Sequence, residues 1–161
     1  MARAKSYLPE GAQTLTPDLA INNGAAAKAI DFYKKAFGAR EVSRAPSPDG
    51  KFIMHAHLQI GDSVLFLADN IPQPGAGTQP TSPPAGVVLN LFVEDADAVF
   101  ERALKAGAET VMPLADMFWG DRYGHLRDPL GHVWAIATHK EDVSPEEAQR
   151  RSAEFFATTA R

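Results

Sequence analysis

Apolar side chains recur at helical spacing in two stretches of this sequence. From Ala25 to Ala39, AAAKAIDFYKKAFGA sets Ala29, Ile30, Tyr33, Ala36 and Phe37 along one stripe, with Gly38 as a natural stop. From Ala96 to Ala108, ADAVFERALKAGA sets Val99, Phe100, Ala103 and Leu104 along another, with Gly107 as the stop. The two glycines lie 69 residues apart, and Val42 and Val111 follow them at the same offset. A strand-like run precedes each helix, TLTPDLAI at 14–21 and GVVLNLFVED at 86–95. Three more follow each: REVSRA, FIMHAHLQI and SVLFLA in the first half, ETVMPLA, RYGHLRD and HVWAIAT in the second. Each half therefore reads strand, helix, strand, strand, strand.

Between the halves, IPQPGAGTQPTSPPAG carries five prolines and no hydrophobic period, which predicts a linker or surface loop. The expected organisation is an N-terminal extension (1–13), a first βαβββ module (14–70), a linker (71–85), a second βαβββ module (86–139) and a C-terminal helix with its tail (140–161). In that tail Ser144, Pro145 and Glu147 are a cap, a first-turn proline and a capping-box glutamate, and Ala148, Ala153, Phe155 and Phe156 give the helix an apolar side. The fold class is α+β: two tandem modules forming a curved, cup-like mixed sheet. A four-stranded sheet with one helix leaves its other face to be covered by a second sheet or by a ligand.

This duplication, with AIDFYKKAFGA, HLQIGDSVLFLAD, VEDADAVFERALKAGA and WGDRYGHLRDPLGHVWAIATHKEDVSPEE, resembles the vicinal oxygen chelate superfamily of glyoxalases, bleomycin-resistance proteins and extradiol dioxygenases. Within it the chain looks most like the PhnB-like branch. The resemblance implies a cup that in the metalloenzymes holds a divalent ion on His, Gln or Glu side chains. Carried over by the repeat, those positions fall at Thr16, Phe66, Val88 and Ala135. None is a normal metal ligand, so neither a metal nor another cofactor is expected.

Without that metal, the cup is expected to bind a small molecule. Alternation along FIMHAHLQI puts Met54, Ala56, Leu58 and Ile60 under the helix and turns His55, His57 and Gln59 to the cup. Phe66, Asn90 and Phe92 join them as expected ligand-binding residues, and Trp119 and Tyr123 belong to an aromatic cluster beside Asp121 and Arg122 where a loop closes the cup. Asp18 and Asn90 face inward, and with His55 and His57 they are the candidates for a displaced metal site. Trp134 has the opposite phase and reads as helix-side core. His125 and His132 read as surface or turn residues and His139 as a capping residue.

The chain has 161 residues, enough for one domain or two half-domains sharing a core. It contains no cysteine, which excludes disulfides, zinc–thiolate sites and a cysteine nucleophile. Its formal charge of -4 is the wrong sign for a nucleic-acid partner. No signal-peptide core or membrane span is read, so a cytoplasmic protein is expected, and the exposed half-cup predicts a homodimer. No nucleophile elbow, phosphate loop, zinc-protease motif or dinucleotide fingerprint occurs, and no catalytic residue is assigned. Whether the chain is an enzyme stays open. The alternative to a binding protein is a lyase, isomerase or dioxygenase that uses a displaced metal or a histidine base.

Overall fold

The computed structural model describes residues 13–71 and 86–159. The N-terminal extension up to residue 12 and the proline-rich stretch 72–85 lie outside the described residues. The chain divides into two compact units, Met1–Pro84 and Ala85–Arg161.

In the first unit the order is β1 (Asp18–Ile21), α1 (Ala26–Phe37), β2 (Arg40–Pro46), β3 (Ile53–Ile60) and β4 (Ser63–Asp69). In the second it is β5 (Val88–Phe92), α2 (Ala96–Lys105), β6 (Glu109–Asp116), β7 (Asp121–Arg127), β8 (Val133–His139) and α3 (Pro145–Thr159). The sheets have one topology. Their orders are β1-β4-β3-β2 and β5-β8-β7-β6; the first strand runs parallel to the last, and the other pairs are antiparallel.

The periodicity behind the helices is realised in packing. Ala29, Ile30, Tyr33, Ala36 and Phe37 are all buried, and α1 rests on β2, β3 and β4. It ends at Gly38, whose φ of 68° is one that a residue with a Cβ resists. On α2, Val99, Phe100 and Ala103 are buried, while Leu104 is half out and the cap is Ala106, one residue before the expected glycine. Val42 and Val111 share a structural role as well as an offset. The register skips each of them, so both are bulge residues, and their side chains are exposed.

Three further contacts hold the modules. Asp69, at the end of β4, accepts backbone N–H bonds from Ala26 at 2.9 Å and Ile53 at 2.7 Å, tying the start of α1 to the start of β3. Thr138, 69 residues later, accepts from Ala96 N–H at 2.8 Å and donates to the Val93 carbonyl at 2.8 Å, which ties the start of α2 to the residue after β5. Trp134 is buried as expected, and its indole N–H donates to the buried Asp128 carboxylate at 3.0 Å.

Two expectations are corrected. Met54 does not pack under α1 but is 54% exposed: the register jumps from Ala45–His55 to Pro46–Ile53, leaving Met54 opposite no residue of β2, and Ile53 is buried in its place. His132 is not exposed. It is buried beside Asp128, because the turn Asp128–Gly131 folds back and Asp128 Oδ1 accepts from the backbone N–H groups of Leu130 and His132.

Candidate ligand site

In the first module, the face turned away from α1 is built by alternation from β1, β4 and β3. His55, His57 and Phe66 come together there: the Phe66 ring centroid lies 4.8 Å from that of His55 and 5.3 Å from that of His57, both edge-to-face. Phe66 is opposite His57 on one side and opposite Asp18 on the other. Gln59 is engaged by its cross-strand neighbour, whose Arg40 guanidinium donates to the Gln59 side-chain oxygen.

Beside this group the surface sinks into a cavity of about 300 Å³, lined by Asp18, Ala20, Met54 and Ala68 with Asn70 and Ile71 at its end. Asp18 follows from alternation, and Ala20 and Ala68 face each other in the parallel register. Met54 is the residue that sequence reasoning missed here, because a bulge is invisible to a strict two-residue period.

In the second module the corresponding face carries Asn90 and Phe92 on β5 and Tyr123 and His125 on β7, with Ala135 and Ala137 between them on β8. Asn90 is exposed and Phe92 is 60% exposed. His125 is not a turn residue as expected from its Asp-Pro neighbourhood; it sits inside β7, half-buried, with Nε2 2.9 Å from the Tyr123 hydroxyl. Burial lowers its pKa, so the imidazole is neutral at neutral pH.

The aromatic cluster forms a chain of edge contacts. Phe118 meets Trp119 at 5.0 Å, Trp119 meets Tyr123 at 5.4 Å and Tyr123 meets His125 at 5.1 Å between ring centroids. Its other end reaches α3, where Phe155 and Phe156 flank Phe118. Trp119 donates its indole N–H to Asp121, whose other oxygen lies 2.7 Å from His139 Nδ1. Arg122 leaves this cluster: it pairs with Asp97 of α2, an ion pair across to the helix side. The expected ligand residues thus fall into two groups, His55, His57, Gln59 and Phe66 in one module, and Asn90, Phe92, Trp119 and Tyr123 in the other.

A divalent ion fits the inherited positions poorly. Thr16 uses its hydroxyl on the Gln13 carbonyl at 2.8 Å, Phe66 is a ring between two histidines, and Val88 and Ala135 carry no donor. Among the described residues no three histidine, aspartate or glutamate side chains gather at metal-binding distance.

Paired βαβββ modules of one topology, each with a helix-covered and an open face, define the class of fold. The Glyoxalase/Bleomycin resistance protein/Dioxygenase superfamily profile matches residues 17–136, and the chain belongs to that superfamily. It is 46% identical over 138 residues to the Mycobacterium tuberculosis protein Rv0887c, covering 84% of this chain and 79% of that protein. The crystal structure of the Arabidopsis thaliana At5g48480 gene product superposes with a TM-score of 0.62 at 28% identity, covering 78% of this chain and 98% of that one. TioX from Micromonospora sp. ML1 superposes with a TM-score of 0.58 at 27% identity, over the same two shares. The PhnB protein of Bacillus cereus has the same fold, with a TM-score of 0.61 at 21% identity.

Proposed function

We propose that the chain is a small-molecule-binding member of this superfamily, of the PhnB-like branch, that works without the superfamily's metal. The observation that carries the reading is the cavity of about 300 Å³ on the open face of the first sheet, next to the His55–Phe66–His57 group. That volume is at the small end of the roughly 300–1,000 Å³ usual for ligand pockets. Its lining sets the apolar side chains of Ala20, Met54 and Ala68 beside the polar groups of Asp18, Asp69 and Asn70, so it offers a guest both contact area and orienting groups. Asn90, Phe92, Trp119 and Tyr123 supply a second guest surface by the same logic.

The Tyr123–His125 pair favours a second reading. A neutral imidazole in hydrogen-bond contact with a phenol is a competent proton acceptor, so the enzyme alternative is a lyase or isomerase that uses a histidine base. Fragment screening by NMR in the presence and absence of EDTA tests the first reading: the expected outcome is saturable shifts on the open faces that chelator leaves unchanged. Stoichiometric bound metal after native purification, lost with His55→Ala and His57→Ala, overturns it.

The exposed Val88 and Phe92 on the edge strand β5 support a homodimer, which we propose as the assembled state. We also propose 14–70 and 86–139 as the module boundaries.

A further inference from the structure

The cavity in the first module has a charge pattern that selects its guest. Its lining contains two carboxylates, Asp18 and Asp69, and no lysine, arginine or histidine. Asp69 is committed to the fold, with one oxygen accepting from Ala26 N–H and the other from Ile53 N–H. Asp18 has no such role: it is exposed and, among the described residues, its carboxylate makes no hydrogen bond or ion pair. Beside it Ala20, Ala68 and Met54 give the lining an apolar part, and Asp69 and Asn70 a polar one. Met54 is held out over this recess by its bulge, and its flexible thioether adapts to an aromatic or aliphatic body.

An anionic guest would meet two like charges here, and a neutral one would leave the Asp18 carboxylate without a counter-charge. A cation meets neither objection: it pairs with the Asp18 carboxylate while its body covers the apolar side chains beside it. We infer that this cavity takes an organic monocation of the arylalkylammonium class. Its ammonium group donates to the Asp18 carboxylate, and its apolar body lies on Ala20, Ala68 and Met54. The inference rests on the binding function proposed above and names the guest class for one of its two surfaces.

The test uses three probes of one shape, 2-phenylethylamine, 2-phenylethanol and 3-phenylpropanoate, titrated at neutral pH into full-length protein labelled on methionine and alanine methyl groups. The amine should move the Met54, Ala20 and Ala68 signals saturably, the alcohol should bind about tenfold more weakly, and the carboxylate should bind weakest. Asp18→Asn should bring the amine down to the level of the alcohol and leave the alcohol unchanged. Met54→Ala should weaken amine and alcohol alike. Asp18 is exposed, so its variant is expected to keep the parent melting temperature, and Asp18→Ala gives an independent check. Equal binding of amine and alcohol at these three residues, unaffected by Asp18→Asn, overturns the cation inference while the binding function stands. If no probe or library fragment of any charge moves a residue on either open face, the binding function falls as well.

Discussion

Asp69 and Thr138 stand at one place in two modules and satisfy the first backbone N–H of a helix from the last strand of the sheet. A buried donor left without its partner costs about 1–3 kcal/mol. Asp69→Ala strands two such donors, Ala26 and Ile53, so urea denaturation should show a loss of about 1–3 kcal/mol for each. Thr138→Val strands one and should cost correspondingly less. Neither residue announces this in the sequence, since the contacts span 43 and 42 positions and no local cap motif encodes them. By contrast, the facing of His55 and His57 follows from alternation alone, and the structure puts both against Phe66. Met54 shows the limit of that rule: one bulge residue changes the phase, and the side chain assigned to the core lines the cavity.

Helix α3 is fastened by a close approach and by charge. Gly120 has a φ of 102°, and a Cβ there would sit 2.2 Å from the Glu141 carbonyl oxygen, while its own carbonyl accepts from Lys140 and Glu141 N–H. Gly120→Ala must therefore push away the segment that leads into α3. Limited proteolysis should cut it at Lys140 or nearby, well before the sheet unfolds. Arg151 bridges Glu141 and Glu147, and the Glu147 carboxyl is lowered from 4.5 to about 2 by hydrogen bonds from Arg150 and then Arg151. A carboxyl depressed in the folded state contributes stability above its unfolded value and loses it as pH falls toward the folded one. The first turns of α3 are thus expected to fray between pH 4.5 and about 2, read by the loss of its helical signal, while the Arg151–Glu141 bridge to the preceding segment, whose carboxyl is also lowered by Arg151, weakens in acid and with added salt, because these charges are exposed. His139 has the opposite sign. Asp142 and Asp121 raise its pKa, so its bridge is complete in mild acid and fades as pH rises through that raised value. The helix start was legible from Ser144, Pro145 and Glu147, whereas its anchor on Phe118 was not, since nothing in the local pattern pairs residues so far apart.

For the whole chain, the repeat was the most legible feature: the bulge residues Val42 and Val111 recur at the sequence offset, helix ends and last strands fall within one residue of it, and the two sheets share one strand order. Identical topology did not preserve identical chemistry. Phe66 and Ala135 occupy corresponding places, a ring in one module and a methyl in the other. Donors are missing at both, so EDTA should change neither the melting temperature nor the binding of 2-phenylethylamine, since loss of a bound ion would lower stability by mass action. The proposed dimer should appear in light scattering at micromolar concentration, and Phe92→Asp on the edge strand should convert it to a monomer; a monomer mass for the parent removes that proposal.

The two caps also differ in when they become available during synthesis. Helix α2 has a local one, Asp95, whose side chain accepts from Ala98 N–H at 2.9 Å. Helix α1 starts at Ala25 with no side-chain cap and depends on Asp69. A chain emerging from the ribosome can therefore nucleate α2 as soon as that segment is free, but α1 is fully capped only after β4 has followed it out. The first module is expected to fold late and all together, and the second outward from its helix. Stalled nascent chains ending just before and just after Asp69 has cleared the exit tunnel should differ sharply in protease resistance, while no such step should mark the emergence of Thr138.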